Sequence, residues 1–380
     1  MSSRPDVLIV GGGAIGCALA RELAGRGASV TVLERMEPGS EASGAAAGLI
    51  APRAEGLPPG PLFDLAAESR RLYPGWCAEL EEETGLPVGW IPAGVLRCDL
   101  DGRANFAPWL DRRAPGFPVE EVDRDGIQRI TRGLASPEAR GALFFREDGS
   151  VDPRRLTRAL WESAGKRGVR FVLGAKARRF LVSGNRCLGV EADTGSFQAG
   201  AVVDAAGAWA AFDPAAAPVP VRPVRGQIVR LAGTPPFLPC VVQSADVYVV
   251  PRGDGSLLLG STEEDVGFRK EVTAGAVAAL LDAACRLVPS LRRARFTDAW
   301  SGLRPASRDA LPILGASQLP GLFFAAGHFR NGILLAPATA VRVAEAILEE
   351  SGEPLAPFSP ARFLPGANKS GEPWKEQVFG

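Results

Sequence analysis

The glycines at positions 11, 13 and 16 and the glutamate at 34 are the first residues whose types and spacing point to chemistry. In Gly11-Gly12-Gly13-Ala14-Ile15-Gly16, Gly11 permits a tight turn, Gly13 lets a pyrophosphate approach the backbone, and Gly16 lets the following helix pack close. The start of that helix offers unpaired N–H groups to phosphate oxygens. Glu34 ends the next apolar run, at the right distance to hydrogen-bond a ribose hydroxyl. Its charge would repel a 2′-phosphate, which disfavours NADP; FAD and NAD both fit. Residues 38–48 are mostly small, which permits close backbone approach to a bulky planar ligand. A flexible linker would share that composition, but apolar Leu49-Ile50 follows directly.

Other chemistries find few residues. The one histidine, His328, cannot build a histidine-rich metal site and no cysteine cluster replaces it, so no metal is expected. A Ser-His-Asp hydrolase would need His328, and no G-x-S-x-G elbow occurs. Cys17, Cys77, Cys98, Cys187, Cys240 and Cys285 are widely spaced with no C-x-x-C, which fits a reduced cytoplasmic protein. Lys plus Arg and Asp plus Glu number 43 each, so neither a nucleic-acid nor a membrane partner is expected. No run of about 18 apolar residues escapes a charge or proline, and residues 1–6 carry no apolar signal core.

The elements that must hold these residues follow from periodicity. Residues 7–10 form a short uninterrupted apolar run, as in a buried parallel strand, and 29–34 a second, with a helix to Gly27 between them. Residues 63–84 show the apolar spacing of an amphipathic helix. Residues 88–98 read as paired short strands, and 105–128 as a charged, proline-bearing insertion that starts a second domain. Asp152 and Pro153 are the N-cap and first position of a helix to Gly165. Residues 169–173, 190–197 and 201–207 read as strands; the last ends in Gly207, where a sheet strand meets a bound nucleotide. Residues 226–231, 247–251 and 256–260 read as antiparallel strands with a hairpin turn at 253–255, followed by a helix over 274–288. Residues 321–327 are a last buried strand, 328–332 its turn and 333–350 a long helix facing the same crevice. Beyond Glu353 the proline-rich tail is expected to be partly loose. A length of 380 residues exceeds the usual single core and predicts two domains.

Five strings together resemble the glycine oxidases, thiamine-pathway members of the D-amino-acid oxidase/sarcosine oxidase flavoproteins. They are Gly11-x-Gly13-x-x-Gly16 with Glu34, the Ser-Gly-Ala-Ala-Ala-Gly run at 43–48, Tyr248-Val249-Val250-Pro251-Arg252, Gly302-Leu303-Arg304-Pro305, and Gly327-His328-Phe329-Arg330-Asn331-Gly332-Ile333-Leu334-Leu335-Ala336-Pro337. The resemblance reaches to about Phe363, and the last string is its most specific part.

The resemblance implies an α/β plus antiparallel-β flavoprotein oxidase. A Rossmann-like, doubly wound FAD domain is assembled from residues 1–84, 146–212 and 297–355. An antiparallel-sheet substrate domain is assembled from 85–145 and 213–296, with a C-terminal tail at 356–380. FAD is implied as a non-covalent cofactor, since no cysteine lies between Trp300 and Phe324, the region where sarcosine oxidases attach it. The implied reaction takes glycine or a small N-substituted glycine to an imine, passes the electrons through FAD to O2 to give hydrogen peroxide, and hydrolyses the imine to glyoxylate and ammonia or an amine. A homo-oligomer, often a tetramer, is implied as well.

By the same resemblance FAD contacts fall on Ala14, Ile15, Glu34, Arg35, Ala42, Ser43, Ala47, Gly48, Leu49, Ala177 and the stretch His328, Phe329, Arg330, Asn331, Gly332, Ile333, Leu334. Arg304 and Arg330 face the substrate with Tyr248 beside them. An arginine fork suits a carboxylate held so that Cα meets the flavin; a structural salt bridge is the competing use of either arginine, and Tyr248 could equally be core. Hydride transfer from a neutral amine needs no protein base, so His328 is given none. The acids at 263–265 either attract an amine cation or are solvated loop charges. The alternatives are a sarcosine, D-amino-acid or N-carboxymethyl amino-acid oxidase of secondary metabolism, a dehydrogenase using another acceptor, and a non-catalytic subunit of a hetero-oligomer.

Overall fold

The computed structural model describes residues 4–102, 106, 118–210, 212–232, 237–348 and 353–364. Val7–Val10 is the inner strand of a six-stranded sheet. Its order is Ile313–Ala316, Leu322–Ala326, Ala201–Asp204, Val7–Val10, Val30–Glu34, Arg170–Leu173. All neighbours run parallel except the first pair. Every residue of Val7–Val10 and Val30–Glu34 is buried, because both faces of the sheet are covered. The two-residue alternation of a strand divides the first one between two cores. Val7 and Ile9 pack with the helices Ala14–Gly25, Pro61–Thr84, Pro153–Lys166 and Gly332–Leu348; Leu8 packs with Phe180, Cys187 and Val190 of a three-stranded antiparallel sheet on the opposite face.

Local sequence explains the helix ends. Asp152 caps Pro153–Lys166 by accepting from the N–H groups of Arg154 and Arg155, with proline at the first position, as expected. Gly332–Leu348 contains Pro337, which has no N–H to give to the carbonyl of Ile333. The buried hydroxyl of Tyr73 donates to that carbonyl instead. One residue on, Ser69 Oγ inserts into the ladder: it donates to Leu334 O at 2.6 Å and accepts from Ala338 N at 3.3 Å. The long helix Pro61–Thr84 thereby fixes the start of the last helix, and with it the 328–332 turn.

The second sheet has eight strands, in the order Arg295–Ser307, Val221–Ala232, Ser256–Gly260, Tyr248–Pro251, Val241–Gln243, Val95–Asp99, Gly141–Phe145, Val119–Val122. It is antiparallel but for Val241–Gln243 beside Val95–Asp99. Val249 and Val229 face the helix Ala274–Leu287, while Tyr248, Val250, Ile228 and Trp300 face Ala47, Ala51 and Ala54 of the first domain.

Three sequence readings are corrected. Residues 88–98 are not a strand pair: Ile91 makes one bridge to Ser150, and only Val95–Asp99 is a strand, paired elsewhere. Residues 190–197 are not one strand, because a turn precedes Gly195 and the sheet is Ala177–Ser183, Arg186–Ala192 and Gly195–Gln198. The expected domain boundary at 297 falls inside Arg295–Ser307, which pairs along its length with Val221–Ala232, so we set it after Ser307. In the tail, residues 353–364 pack against the domain: Leu355 and Phe358 are buried, and Arg362 forks Asp309 at 2.7 and 3.1 Å. The rest of the tail, and most of the 105–117 part of the insertion, lie outside the described residues.

Candidate active site

A cavity of about 1420 Å³, counting its open mouth, lies between the carboxyl ends of the parallel strands and the face of the antiparallel sheet. Its lining runs from the glycine turn and the helix start at one end to Tyr248, Arg304 and Arg330 at the other.

One end is made of backbone. The turn at Gly11 has φ +106°, and a Cβ at Gly16 would fall 1.9 Å from Gly11 O, so helix and turn meet only through glycines. Glu34 is buried and holds this turn: Oε2 accepts from Gly12 N at 2.7 Å and Oε1 from Met36 N at 2.8 Å. The helix Ala14–Gly25 has glycine at its N-cap, no side-chain cap and no acid in its first turn, an arrangement open to phosphate oxygens. Ser43 Oγ accepts from Ala14 N at 2.9 Å and ties the small-residue run to the helix start. Arg35 stacks on Trp209, 3.7 Å from the ring centroid, and pairs with Glu41, which also binds Lys270 at 2.8 Å. These residues fit FAD: an acid-free helix start with glycine at its N-cap for the pyrophosphate, Glu34 for the ribose, and the wall 42–49 for the ring system.

The other end is made of charged side chains from distant segments. Arg304, half-buried in the strand Arg295–Ser307, donates from Nη1 to Thr262 O at 3.0 Å and from Nη2 to Ser261 Oγ at 2.6 Å. Those partners, with Arg225 O at 3.5 Å, are all neutral. Burial pulls its pKa below the ordinary arginine value, with neighbouring Arg330 also acting downward. Glycines make room for both candidates: a Cβ at Gly226 would lie 2.3 Å from Arg304 Nη1, and one at Gly260 2.4 Å from the Tyr248 hydroxyl. Burial raises the Tyr248 pKa, and Arg304 partly offsets this. Arg330 stands at the mouth, where Nη2 donates to Glu55 Oε2 at 2.9 Å and Nη1 lies 4.0 Å from Glu263 Oε2. Glu55 chiefly holds its pKa above the usual value. His328 is buried with Nε2 3.2 Å from Thr339 Oγ1, and burial drops its pKa to about 3, so the ring is neutral at working pH.

The expected residues mostly converge. Gly13, Ala14, Ile15, Glu34, Arg35, Ala42, Ser43, Ala47, Gly48, Leu49, Gly207, Tyr248, Arg304 and 328–333 line the cavity. Gly11, Gly16, Leu334 and Ala177 do not. Gly11 and Gly16 shape the turn, Leu334 points into the helical core, and Ala177 packs in the three-stranded sheet. Of the acids at 263–265, Glu264 is bound to Arg225 and Gln227, Asp265 pairs with Arg222 on the surface, and Glu263 approaches Arg330. Glu55, Ser261 and Trp209 escaped sequence reasoning. Glu55 follows the apolar run at 49–51 and Trp209 follows Gly207, but no periodicity marks either. Among the described residues no group of three or more His, Cys, Asp or Glu could hold a metal ion, and no helix is long and apolar enough to cross a membrane.

This chain belongs to the DAO family of FAD dependent oxidoreductases, whose sequence model matches residues 6–346, and FAD is its cofactor. It is 37% identical to the glycine oxidase of Geobacillus kaustophilus over 377 residues, covering 96% of this chain and 98% of that one. The crystal structure of glycine oxidase from the same organism matches with a TM-score of 0.88 at 35% identity, over 96% of this chain and 100% of that one. The bifunctional protein ThiO/ThiG of Trichormus variabilis is 39% identical over 354 residues, 92% of this chain and 54% of that protein. The chain spans about half the length of the bifunctional relatives it matches.

Proposed function

We propose that this chain oxidises glycine or small N-substituted glycines, with O2 as the final acceptor. Glycine, O2 and water become glyoxylate, ammonia and hydrogen peroxide. The observation that carries this reading is Arg304: a guanidinium in the cavity wall whose hydrogen-bond partners among the described residues are all neutral. A substrate carboxylate is the charge it lacks. Ser261 and Thr262 fix the fork, so substrate binding needs little ordering of the side chain.

With the carboxylate on Arg304 and Tyr248 beside it, the α-carbon would face the wall of small residues at 42–49, which would hold the flavin ring. When bound, FAD would supply the hydride acceptor and the path of the electrons to oxygen. The protein's share is orientation, exclusion of water and charge placement. Neutral His328 neither takes the amine proton nor carries charge; the substrate amine must lose its proton to solvent. The resemblance to glycine oxidases also supports a homo-oligomeric, tetrameric assembly, which light scattering checks, and six free cysteines suit the reducing cytoplasm.

A peroxide-coupled screen over glycine, sarcosine, N-substituted glycines and small D-amino acids tests the proposal. Peroxide from glycine or sarcosine is expected; flavin reduction by these substrates without peroxide in air points to a dehydrogenase using another acceptor.

A further inference from the structure

The mouth of the cavity holds a charge arrangement that the carboxylate clamp does not use. Arg330 is bound by Glu55 at 2.9 Å and faced by Glu263 at 4.0 Å, and Glu263 keeps its other oxygen, Oε1, buried and unpartnered among the described residues. Arg97, on the strand Val95–Asp99, is close enough that its pKa responds to both Glu55 and Arg330. Glu55 and Glu263 thus set two carboxylates against Arg330. Arg304, held by neutral partners, is left for a single substrate carboxylate.

Glu55 is not a loosely solvated side chain. Both backbone groups of the preceding Ala54 are gripped: its N–H donates to Asp148 Oδ2 at 2.8 Å, and its carbonyl accepts from Gln243 Nε2 at 3.1 Å. Asp148 is fully buried and its pKa is pushed up to about 7 by that burial. Gln243 pairs in register with Tyr248, so the strand pair that carries the tyrosine also fixes the loop that carries Glu55.

We propose that Glu55 is a specificity-determining residue: by neutralising Arg330 it restricts the site to substrates with one carboxylate and an uncharged nitrogen arm. Without that charge Arg330 is a second guanidinium facing the cavity, and the site accepts a second carboxylate. This rests on the glycine-oxidising reading for the orientation of the substrate, but its test does not need turnover. Selection of this kind works by the unfavourable charge offered to the wrong ligand as much as by contacts to the right one.

The test uses FAD-loaded enzyme and two ether analogues that cannot be deaminated, methoxyacetate with a neutral arm and diglycolate with an anionic one. Dissociation constants are read from the change in the flavin absorbance spectrum. Glu55→Gln should shift the preference toward diglycolate by roughly fivefold or more, a modest figure because Arg330 is partly solvent-exposed. Arg330→Gln, which leaves Glu55 and Glu263 unopposed, should shift it the other way. Ratios within roughly twofold of wild type in both variants would overturn the assignment. Should Glu55→Gln fail to retain FAD, Arg330→Gln alone decides. Sarcosine turnover by the wild type reports separately on the underlying reaction: absent turnover with shifted ratios refutes the reaction and leaves the charge assignment standing.

Discussion

The two ends of the cavity are built by different means. At the dinucleotide end the recognising groups are backbone amides and glycines from one continuous stretch, the strand Val7–Val10, its turn and the helix Ala14–Gly25, completed by Glu34 one strand away. At the proposed substrate end the cavity is lined by side chains brought from four separate places: Tyr248 and Arg304 on different strands of one sheet, Arg330 in the turn after the last parallel strand, and Glu55 in a loop after the small-residue run. The first end is fixed as soon as the local chain folds. The second exists only when two domains meet, so single substitutions there can remove function while cofactor binding stays intact.

The largest effect that would sharpen this division is expected from Arg304→Ala. Catalytic efficiency toward glycine or sarcosine should fall about a hundredfold or more, since removing one partner of a fixed charge pair costs about 3 kcal/mol or more. FAD content should remain normal. Arg304→Lys should recover part, keeping the charge without the fork. Loss of flavin in either variant would erase the proposed independence of the two ends.

Glu34→Ala probes the other end. It strips the acceptor from two backbone N–H groups, at Gly12 and Met36, as well as any ribose contact. FAD affinity should weaken by about 1–3 kcal/mol, roughly fivefold to 150-fold in dissociation constant. Because the carboxylate also holds the turn, the apo-protein should melt at lower temperature too. Titration of apo-protein with FAD and a thermal melt check both; unchanged affinity would remove Glu34 from the ribose.

The contrast also explains what the sequence could tell. Strand, glycine turn, helix and acid are neighbours in the chain, so their geometry follows from local rules, and the structure places them as read. The substrate end became visible through the Gly302–Pro305 and Gly327–Pro337 strings and their resemblance to known oxidases. Nothing in the spacing of Glu55 tells that it meets Arg330, because the two lie 275 positions apart and the chain between them carries no signal of that contact. The three-stranded sheet at 177–198 was missed for a simpler reason: Ala177–Ser183 carries two exposed arginines, Arg178 and Arg179, and reads as solvated chain until it pairs with Arg186–Ala192.

The smallest effect is expected at His328. Its pKa in the folded protein is about 3 against an ordinary 6.5. The unfolded chain therefore takes up this proton below 6.5 while the folded one does not until about 3. The histidine's contribution to stability is complete above 6.5 and is lost as pH falls toward 3. No titration of His328 falls in the assay range, and the rise of kcat/KM above neutrality should follow the substrate amine. His328→Asn should keep that rising limb in a pH–rate profile and soften the loss of stability in acid. A limb that vanishes with the histidine would make it the base.

The most direct measurement mixes the enzyme anaerobically with glycine or sarcosine, or with ethylamine as a carboxylate-free amine, and follows flavin bleaching in a stopped-flow spectrometer. A carboxylate held by Arg304 predicts rapid bleaching by the amino acids, slow bleaching by ethylamine, and return of colour with formation of peroxide when air is admitted. Equal bleaching by ethylamine, or none by any glycine derivative, would contradict it.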